Sequence, residues 1–365
     1  MGYDLQIFTD NIEPAAVNQI YNLMVQPPFR DAKVRIMPDV HVGNGCVVGF
    51  TATMGDQGIP NVIGVDIGCG MLTVSLGKTE VDAGALDDFI RENIPSGSDL
   101  HKNYAELKYL RDLHCYRELR DTDRGYRSLG TLGGGNHFIE LDRDEDGNLY
   151  LVIHSGSRKL GTQVAKLYQQ KAVQLCKSTP ERSKTPSEFC YLQADEAVSY
   201  LHDMRLCQRF AVENRMAMAQ KILKFLGIAK AESFETVHNF IDDDGIIRKG
   251  AIPAHKGQRL LIPMNMRDGC LIVTGKGNPD WNCSAPHGAG RLVSRGEAKA
   301  LFTVEEYRRE MAGIYTTSAN DSTLDESPMA YKPMEEIVAL IEPTVTIERI
   351  IKPIYNFKAS RKSEP

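Results

Sequence analysis

The chain has 365 residues, 42% of them hydrophobic and 25% charged, which is ordinary for a globular protein with a large core. Its formal net charge of −5 excludes a global basic field, so nucleic acid would have to bind at a local basic cluster. No apolar run approaches the roughly 18 residues that a membrane span needs, and no secretory leader pattern is present. The eight cysteines are scattered without a C-x-x-C pair, which predicts reduced thiols in a cytoplasmic protein.

The N-terminal region is predicted to alternate helix and strand. Residues 13–25 have a helical pattern, residues 34–45 predict a strand that ends in a Gly-rich turn, and residues 47–53 predict a second strand. Asp39 and His41 lie near the end of the first strand, where they either assist a functional site or cap the turn.

The first candidate site is the sequence Asn-Val-Ile-Gly-Val-Asp-Ile-Gly-Cys-Gly-Met at residues 61–71. Its β-branched residues predict an apolar strand that delivers Asp66 to a glycine-containing turn with Cys69. On a tight turn, a carboxylate and a thiolate three residues apart can converge on a divalent metal ion. The alternative is a buried cysteine beside an aspartate that caps the turn.

A second motif, Gly-Gly-Gly-Asn-His-Phe-Ile-Glu at residues 133–140, follows a segment, residues 79–120, whose pattern is mostly helical. Three glycines allow the backbone to pack closely or to present its N–H groups to an anion. Because alternate residues of a strand face opposite sides, His137 and Glu140 can serve one site only if a bulge or turn intervenes.

The third motif repeats the design of the first. An apolar strand ends at His154, and a Ser-Gly-Ser turn and Arg158 follow. A neutral histidine beside an arginine suits a metal or phosphate site, and the alternative is a core histidine with its hydrogen bonds satisfied. Helices are predicted over residues 162–175 and 193–226.

The C-terminal half adds two more histidine motifs. A third strand carries His238, and the turn after it, residues 242–245, predicts a hairpin. His287 precedes a Gly-Ala-Gly turn that is predicted to open a helix carrying Arg291 and Arg295 on one face. Two guanidinium groups near a helix N-terminus form a fork for phosphate, unless they are simply a solvated pair.

Taken together, six groups that can bind a metal ion occur in turns that direct their side chains. They are Asp66, Cys69, His137, His154, His238 and His287. This pattern predicts a one- or two-metal site in a phosphate-handling cleft. For the architecture we expect α/β (α+β) class, one domain over residues 1–365, with a β-sheet core, surrounding helices and the site in a central cleft.

These motifs, in this order, resemble those of the RtcB family, the GTP- and manganese-dependent RNA-splicing ligases. The resemblance extends from about residue 30 to Lys358 and is specific, because it comprises several long motifs in one order. It implies that Asp66, Cys69, His137, His154 and His238 ligate two Mn²⁺ ions, with Cys69 bridging them. It also implies that His287 is the nucleophile that accepts guanylate from GTP.

The resemblance further assigns residues around the guanylate and along the RNA. The nucleotide would be contacted by Asn136, His137, Phe138, Ile139, Glu140, His238, Asn239, Pro263, Met264, Asn265, Met266, Cys270, His287, Gly288, Ala289, Gly290 and Lys358. RNA phosphates would be held by Arg158, Arg291 and Arg295. The substrates would be RNA ends with a 3′-phosphate or 2′,3′-cyclic phosphate and ends with a 5′-hydroxyl.

The chain departs from the family pattern where nucleotide contacts are implied. It has Pro-Met-Asn-Met-Arg at residues 263–267 in place of Pro-Gly-Ser-Met-Gly, and Cys270 in place of a serine. It is also shorter than typical members and resembles a compact bacterial paralogue, which implies repair of cleaved tRNA or rRNA. Two other functions use the same residues, a metal-dependent phosphoesterase or nuclease without a covalent nucleotide and an RNA-binding protein with a degenerate site.

Overall fold

A computed structural model describes residues 3–53 and 57–360 of the chain. The described residues combine helices with mainly antiparallel sheets, which confirms the predicted α/β class with a sheet core. Within these ranges, none of the helices combines the length and the apolar character that crossing a membrane requires.

The strands, in chain order, are β1 Leu5–Ile7, β2 Val34–His41, β3 Val48–Thr53, β4 Gly70–Gly77, β5 Phe138–Arg143, β6 Leu149–Ser155, β7 Ser233–Val237, β8 Asn239–Ile241, β9 Ile246–Lys249, β10 Ala251–Pro253, β11 Arg259–Asn265, β12 Gly269–Gly275, β13 Ser284–Pro286 and β14 Val345–Phe357. The α-helices are α1 Pro14–Met24, α2 Pro60–Ile63, α3 Ala83–Asn93, α4 Thr122–Arg127, α5 Arg158–Ser178, α6 Ala194–Phe225, α7 Arg295–Leu301, α8 Val304–Glu310 and α9 Met334–Ile341.

The larger sheet has seven strands in the order β11-β12-β14-β5-β6-β4-β7 and curves almost into a barrel. Its two edge strands approach each other, and the backbone N–H of Leu261 on β11 donates to Thr236 Oγ1 on β7 at 3.0 Å. The long strand β14 pairs with β12 through its first half and with β5 through its second half. Strand β14 therefore changes from one partner strand to the other near its middle.

The two faces of this sheet have different partners. Leu141 on β5 and Ile153 on β6 face outward and pack with residues of α3 and α6, such as Ile90 and Met218. The alternate residues face the concave side, where Phe138 packs in a second buried cluster. This alternation follows from the pleat of the strands, and it gives the concave face a separate lining.

A second sheet, of order β1-β2-β3-β9-β8, completes the core. One hydrophobic cluster joins its strands β2 and β3 to α1, α5 and α6. A cavity of about 700 Å³ is lined by residues from both sheets. The cleft that was expected is therefore formed where the loops of the larger sheet meet the second sheet.

Most of the predicted elements are confirmed, including the first helix, the strands that follow it, the long helix and the hairpin at residues 242–245. The apolar strand predicted before Asp66 is wrong. Residues 60–63 form one helical turn, which begins with Pro60 at its first position, and the strand starts only at Gly70. Proline suits the first turn of a helix, and this preference outweighs the strand propensity of the valine and isoleucine that follow. The mostly helical pattern over residues 79–120 is realised only by α3 and short 3-10 turns.

Candidate functional site

The cavity collects most of the side chains that the sequence singled out. The predicted site residues in its lining are Asp66, Cys69, Asn136, Phe138, Glu140, His154, His238, Asn239, Pro263, Met264, Asn265, Met266, His287, Gly288, Ala289, Gly290, Arg291, Arg295 and Lys358. A volume of this size is in the range that holds a nucleotide-sized ligand. Residues that are more than two hundred positions apart in the chain therefore share one site.

The turn between α2 and β4 positions Asp66 and Cys69. The N–H of Cys69 donates to the carbonyl of Asp66 at 3.2 Å, and the carbonyl of Cys69 accepts from His238 N–H at 3.0 Å. Gly68 has a φ of +71°, and a Cβ there would lie 2.9 Å from the backbone of Gln208 on α6. Glycine is therefore required at this position by both conformation and space.

Two histidines direct their Nε2 atoms toward the Cys69 side chain of this turn. His137 Nδ1 donates to the carbonyl of Leu132 at 2.9 Å, and His154 Nδ1 donates to the carbonyl of Asn136 at 3.1 Å. Because a carbonyl only accepts, each Nδ1 carries a proton, and in the neutral ring of His154 the Nε2 atom then has a lone pair. The Nε2 atoms lie 3.5 Å and 3.2 Å from Cys69 Sγ.

This arrangement fits a divalent metal ion. His137 Nε2 also lies 3.1 Å from an oxygen of Asp66, so either a proton on the ring or a cation between the two atoms would satisfy both. The ring of His238 is 5.2 Å from that of His154, and its Nδ1 is buried without a partner. The donor set of thiolate, carboxylate and imidazole suits several transition metals.

The protonation states of the buried groups also bear on metal binding. Burial lowers the pKa of His154 and of His238 well below the ordinary value, so both rings are neutral and able to act as ligands at pH 7. Burial, together with the neighbouring Asp66, raises the pKa of the Cys69 thiol. Ligation of a cation by Cys69 would therefore have to release the thiol proton.

Helix α6 holds the loops of this cluster together through two buried polar residues. Arg215 Nη1 donates to the carbonyls of Gly68 at 3.0 Å and Ser155 at 2.6 Å. Asn214 accepts from the N–H groups of Gly130 and Thr131. One helix therefore fixes the turn that carries Cys69, the strand end that carries His154 and the loop that precedes His137.

His287 lies at the edge of the cavity, and its ring centre is 4.9 Å from that of His238. Its Nδ1 donates to Asp39 Oδ2 at 2.6 Å, and its backbone N–H donates to the same oxygen at 3.1 Å. Asp39 is fully buried. Since Asp39 Oδ2 accepts the Nδ1–H, the neutral ring has its lone pair on Nε2, as a nucleophile requires. Of the two roles left open for Asp39, the structure favours assistance to the site.

A buried carboxylate, Glu326, organises the cationic side of the cavity, and the sequence analysis gave it no role. Its Oε2 lies 3.1 Å from Lys358 Nζ, and its Oε1 lies 2.6 Å from Arg295 and 3.6 Å from Arg291. Lys358 also approaches the carbonyl of Asn136 at 3.3 Å. In the sequence, this role is indicated only by the Asp-Glu pair at residues 325–326. The residues around that pair do not distinguish it from an ordinary polar turn.

The helix that was predicted to carry both Arg291 and Arg295 is wrong. Residues 288–294 are irregular, α7 begins only at Arg295, and Arg291 forms a β-bridge with Tyr331. The Arg291 guanidinium donates to the carbonyl of Asp325 at 2.5 Å. Both arginines nevertheless lie in the cavity lining, because the chain folds back over the same acidic residues.

Arg158 lies behind the metal-compatible cluster, with its Nη1 3.1 Å from His137 Nδ1. Arg158 is the first residue of helix α5, and its Nε atom is buried without a hydrogen-bond partner. A Cβ on Gly133 would lie only 1.8 Å from the Arg158 guanidinium, so glycine is needed for this approach. An unpaired donor at a helix N-terminus suits an anion.

A few predicted nucleotide contacts are not in the cavity lining. Ile139 is fully buried in the outer core, and His137 lies behind Cys69. Cys270 is buried on the concave face of the sheet. Residues 263–267 are the segment that departs from the family pattern. There, Asn265 Oδ1 accepts from the N–H groups of Arg267 and Asp268, both at 2.9 Å, and so stabilises the β11–β12 turn.

Comparison with known proteins gives one consistent result. A family profile described as tRNA-splicing ligase RtcB matches residues 19–117 and 111–359. The RNA-splicing ligase RtcB1 of Escherichia coli strain ATCC 25922 is 31% identical, over 93% of this chain and 94% of the relative. RNA-splicing ligase RtcB of Escherichia coli K12 is 30% identical over the same shares. tRNA-splicing ligase RtcB of Aeropyrum pernix is 29% identical over 87% of this chain and 85% of the relative.

Proposed function

The chain belongs to the RtcB family, whose members are named RNA-splicing ligases, and we propose that it seals RNA ends through a guanylylated histidine. The substrates are an end with a 3′-phosphate or 2′,3′-cyclic phosphate and an end with a 5′-hydroxyl. The observation that carries the proposal is His287, whose Nδ1 donates to buried Asp39 at 2.6 Å beside a cluster of metal-compatible groups.

In the first step, His287 Nε2 attacks the α-phosphorus of GTP, a P–N bond forms, and pyrophosphate leaves. Asp39 keeps the proton on Nδ1 and stabilises the positive charge that develops on the ring. Lys358, held by Glu326, lies where it can bind an anionic oxygen of the nucleotide.

Asp66, Cys69, His137, His154 and His238 would hold two Mn²⁺ ions. When bound, the ions would supply Lewis-acid neutralisation of charge on the phosphate oxygens. The Nε2 atoms of His137 and His154 support this assignment, because they lie 3.5 Å and 3.2 Å from Cys69 Sγ. Manganese rather than zinc follows from the family resemblance and not from the donor set.

In the later steps, the RNA 3′-phosphate attacks the guanylylated histidine, which forms a diphosphate and frees His287. The 5′-hydroxyl then attacks the RNA phosphorus of that diphosphate, so a phosphodiester forms and GMP leaves. A 2′,3′-cyclic phosphate is first opened by water to the 3′-phosphate. Arg158, Arg291 and Arg295 bind RNA phosphates during these steps, which requires the two last arginines to exchange their carboxylate partners for phosphate.

The proposed setting is repair of cleaved tRNA or rRNA in the cytoplasm. All eight cysteines are free, which is consistent with a reducing compartment.

The decisive experiment is transfer of label from α-labelled GTP to the protein in the presence of Mn²⁺. We expect a label that is stable in alkali and lost in acid, as a phosphoramidate is, and that is absent from His287→Ala. The matched control is His255→Ala, a half-exposed histidine outside the cavity lining, which should label like the wild type. Cleavage of RNA or phosphate esters without any adduct would instead support the metal-dependent phosphoesterase.

A further inference from the structure

One histidine of the cavity lining has no role in the reaction proposed above. His41 is the last residue of β2, and its Nδ1 donates to the carbonyl of Asp39 at 2.9 Å. The carboxylate of the same Asp39 accepts from His287 Nδ1 at 2.6 Å. Asp39 therefore orients two imidazole rings, the nucleophile through its side chain and His41 through its backbone.

The free ring nitrogen of His41 is a hydrogen-bond acceptor. The cavity wall shields the ring from water, which lowers the pKa of His41 to about 4 despite the hydrogen bond to Asp39. The charges of His287 and Arg291 lower this pKa further. The ring is therefore neutral at pH 7, and because Nδ1 carries the proton, Nε2 has a lone pair. No hydrogen bond joins Nε2 to any residue that the structure describes, so a bound molecule can supply the donor.

A buried cation lies on the same wall of the cavity. His41 pairs with Val48 on β3, and Val48 packs so closely on Gly250 that a Cβ there would lie 2.1 Å from its Cγ1 atom. The residue before this glycine is Lys249, which lines the cavity, is only 7% exposed and donates to the carbonyl of Asn44. Among the described residues, Lys249 has no ion-pair partner. His41 is thus an acceptor close to a cation that lacks an anion.

The RNA ends of the proposed function, on which this inference rests, include one that matches this pair. The terminal ribose of a 3′-phosphate end has its 2′-hydroxyl on the carbon next to the one that carries the phosphate, so a donor and an anion lie side by side. In GTP, by contrast, the ribose hydroxyls and the phosphates lie on opposite sides of the sugar.

The position of the two rings identifies which ribose is within reach. Every ribonucleotide of the chain to be joined has a 2′-hydroxyl, but only its terminal phosphate has to reach the guanylate on His287. His41 is held by the same Asp39 as that nucleophile. We propose that His41 Nε2 accepts a hydrogen bond from the 2′-hydroxyl of the nucleotide that carries the 3′-phosphate. His41 is then a specificity-determining residue that distinguishes RNA from DNA at this end.

The experiment compares the binding of three oligonucleotides that differ only at the 2′ position of the terminal nucleotide. Each ends in a 3′-phosphate, and its last ribose carries a hydroxyl, a hydrogen or a fluorine. Fluorine keeps the ring shape of a ribose but has no proton to donate. Affinity is measured by fluorescence anisotropy with the full chain and Mn²⁺, without GTP. The wild type should bind the hydroxyl end about 2- to 12-fold more tightly than the other two, as one hydrogen bond predicts.

Three variants assign this preference to the ring. His41→Ala should lose the preference while binding the deoxy and fluoro ends as the wild type does, because only the hydroxyl end forms the bond. His41→Gln should retain part of the preference, because its amide oxygen can accept in place of Nε2, and it keeps the test valid if the alanine variant does not fold. His255→Ala, a half-exposed histidine outside the cavity lining, is the matched control and should keep the full preference.

Two results would overturn the proposal. One is equal binding of the hydroxyl and fluoro ends by the wild type, since a donor then plays no part. The other is an equal loss of affinity for all three ends in His41→Ala, which would make the ring a cap of the β2–β3 turn. Because GTP is absent, neither result depends on guanylylation. Failure of the proposed ligase would instead appear as missing label on His287, with the preference for the hydroxyl end intact.

Discussion

Replacement of Asp39 by asparagine tests the link between geometry and nucleophilicity. The carboxylate accepts His287 Nδ1–H at 2.6 Å and is fully buried, so it stabilises the ring most when the ring becomes positively charged. Hydrogen bonds to a charged group contribute about 1.5–3 kcal/mol. At about 1.4 kcal/mol per tenfold, Asp39→Asn should slow self-guanylylation about 10- to 150-fold.

The assay is single-turnover incorporation of label from α-labelled GTP with saturating nucleotide and Mn²⁺. Asparagine can still accept the His287 backbone N–H, so the loop should stay in place and GTP affinity should change little. Asp203→Asn is the control, because Asp203 is also fully buried but accepts from Tyr168 and lies outside the cavity lining. A rate within about twofold of wild type, or an equal loss in Asp203→Asn, would refute the reasoning.

Three further predictions concern the metal, the RNA and the buried carboxylate. Cys69→Ser should weaken Mn²⁺ binding about 10- to 100-fold by calorimetry, because a neutral hydroxyl replaces a thiolate, and an unchanged affinity would count against Cys69 as a ligand. Arg291→Ala and Arg295→Ala should reduce sealing more than self-guanylylation, and equal losses in both steps would mean that these residues serve GTP. Burial raises the pKa of Glu326, but Lys358 and the two arginines outweigh burial and lower the pKa to about 2. Since this is below the unfolded value of about 4.3, the carboxylate stabilises the fold above that pH, and the contribution is lost as the pH falls toward 2. Glu326→Gln should therefore lower the melting temperature at pH 7, with the difference from wild type shrinking below pH 4; a difference that is independent of pH would contradict this origin.

The convergence of the site could be anticipated from the sequence, because each candidate ligand stands beside glycines that fix a turn. Cys69 and His154 illustrate this, since both lie where a strand meets such a turn. What could not be anticipated is the partner of each group. Asp39 is 248 positions from His287, and no local pattern relates a buried carboxylate to a ring that distant.

Local propensity failed where tertiary packing decided the conformation. Val62 and Ile63 favour a strand, but they are fully buried in the core of the second sheet and follow the proline that starts α2. Arg291 and Arg295 have helical spacing, yet the first is fixed by a β-bridge to Tyr331, a contact between distant segments. The fold class was predictable because it depends on many periodic segments, whereas these details depend on single contacts.

Helix α6 spans 32 residues and is therefore a rod of about 48 Å, stiff enough to set distances between the loops that it contacts. Because Asn214 and Arg215 bind those loops through backbone groups, the conformational entropy of placing the ligands is lost when the protein folds, not when an ion or nucleotide arrives. The two side chains are absent from the cavity lining. Affinity at this site should thus depend on residues that never meet the substrate, and evolution of a new specificity could alter the cavity rim while leaving this internal scaffold untouched.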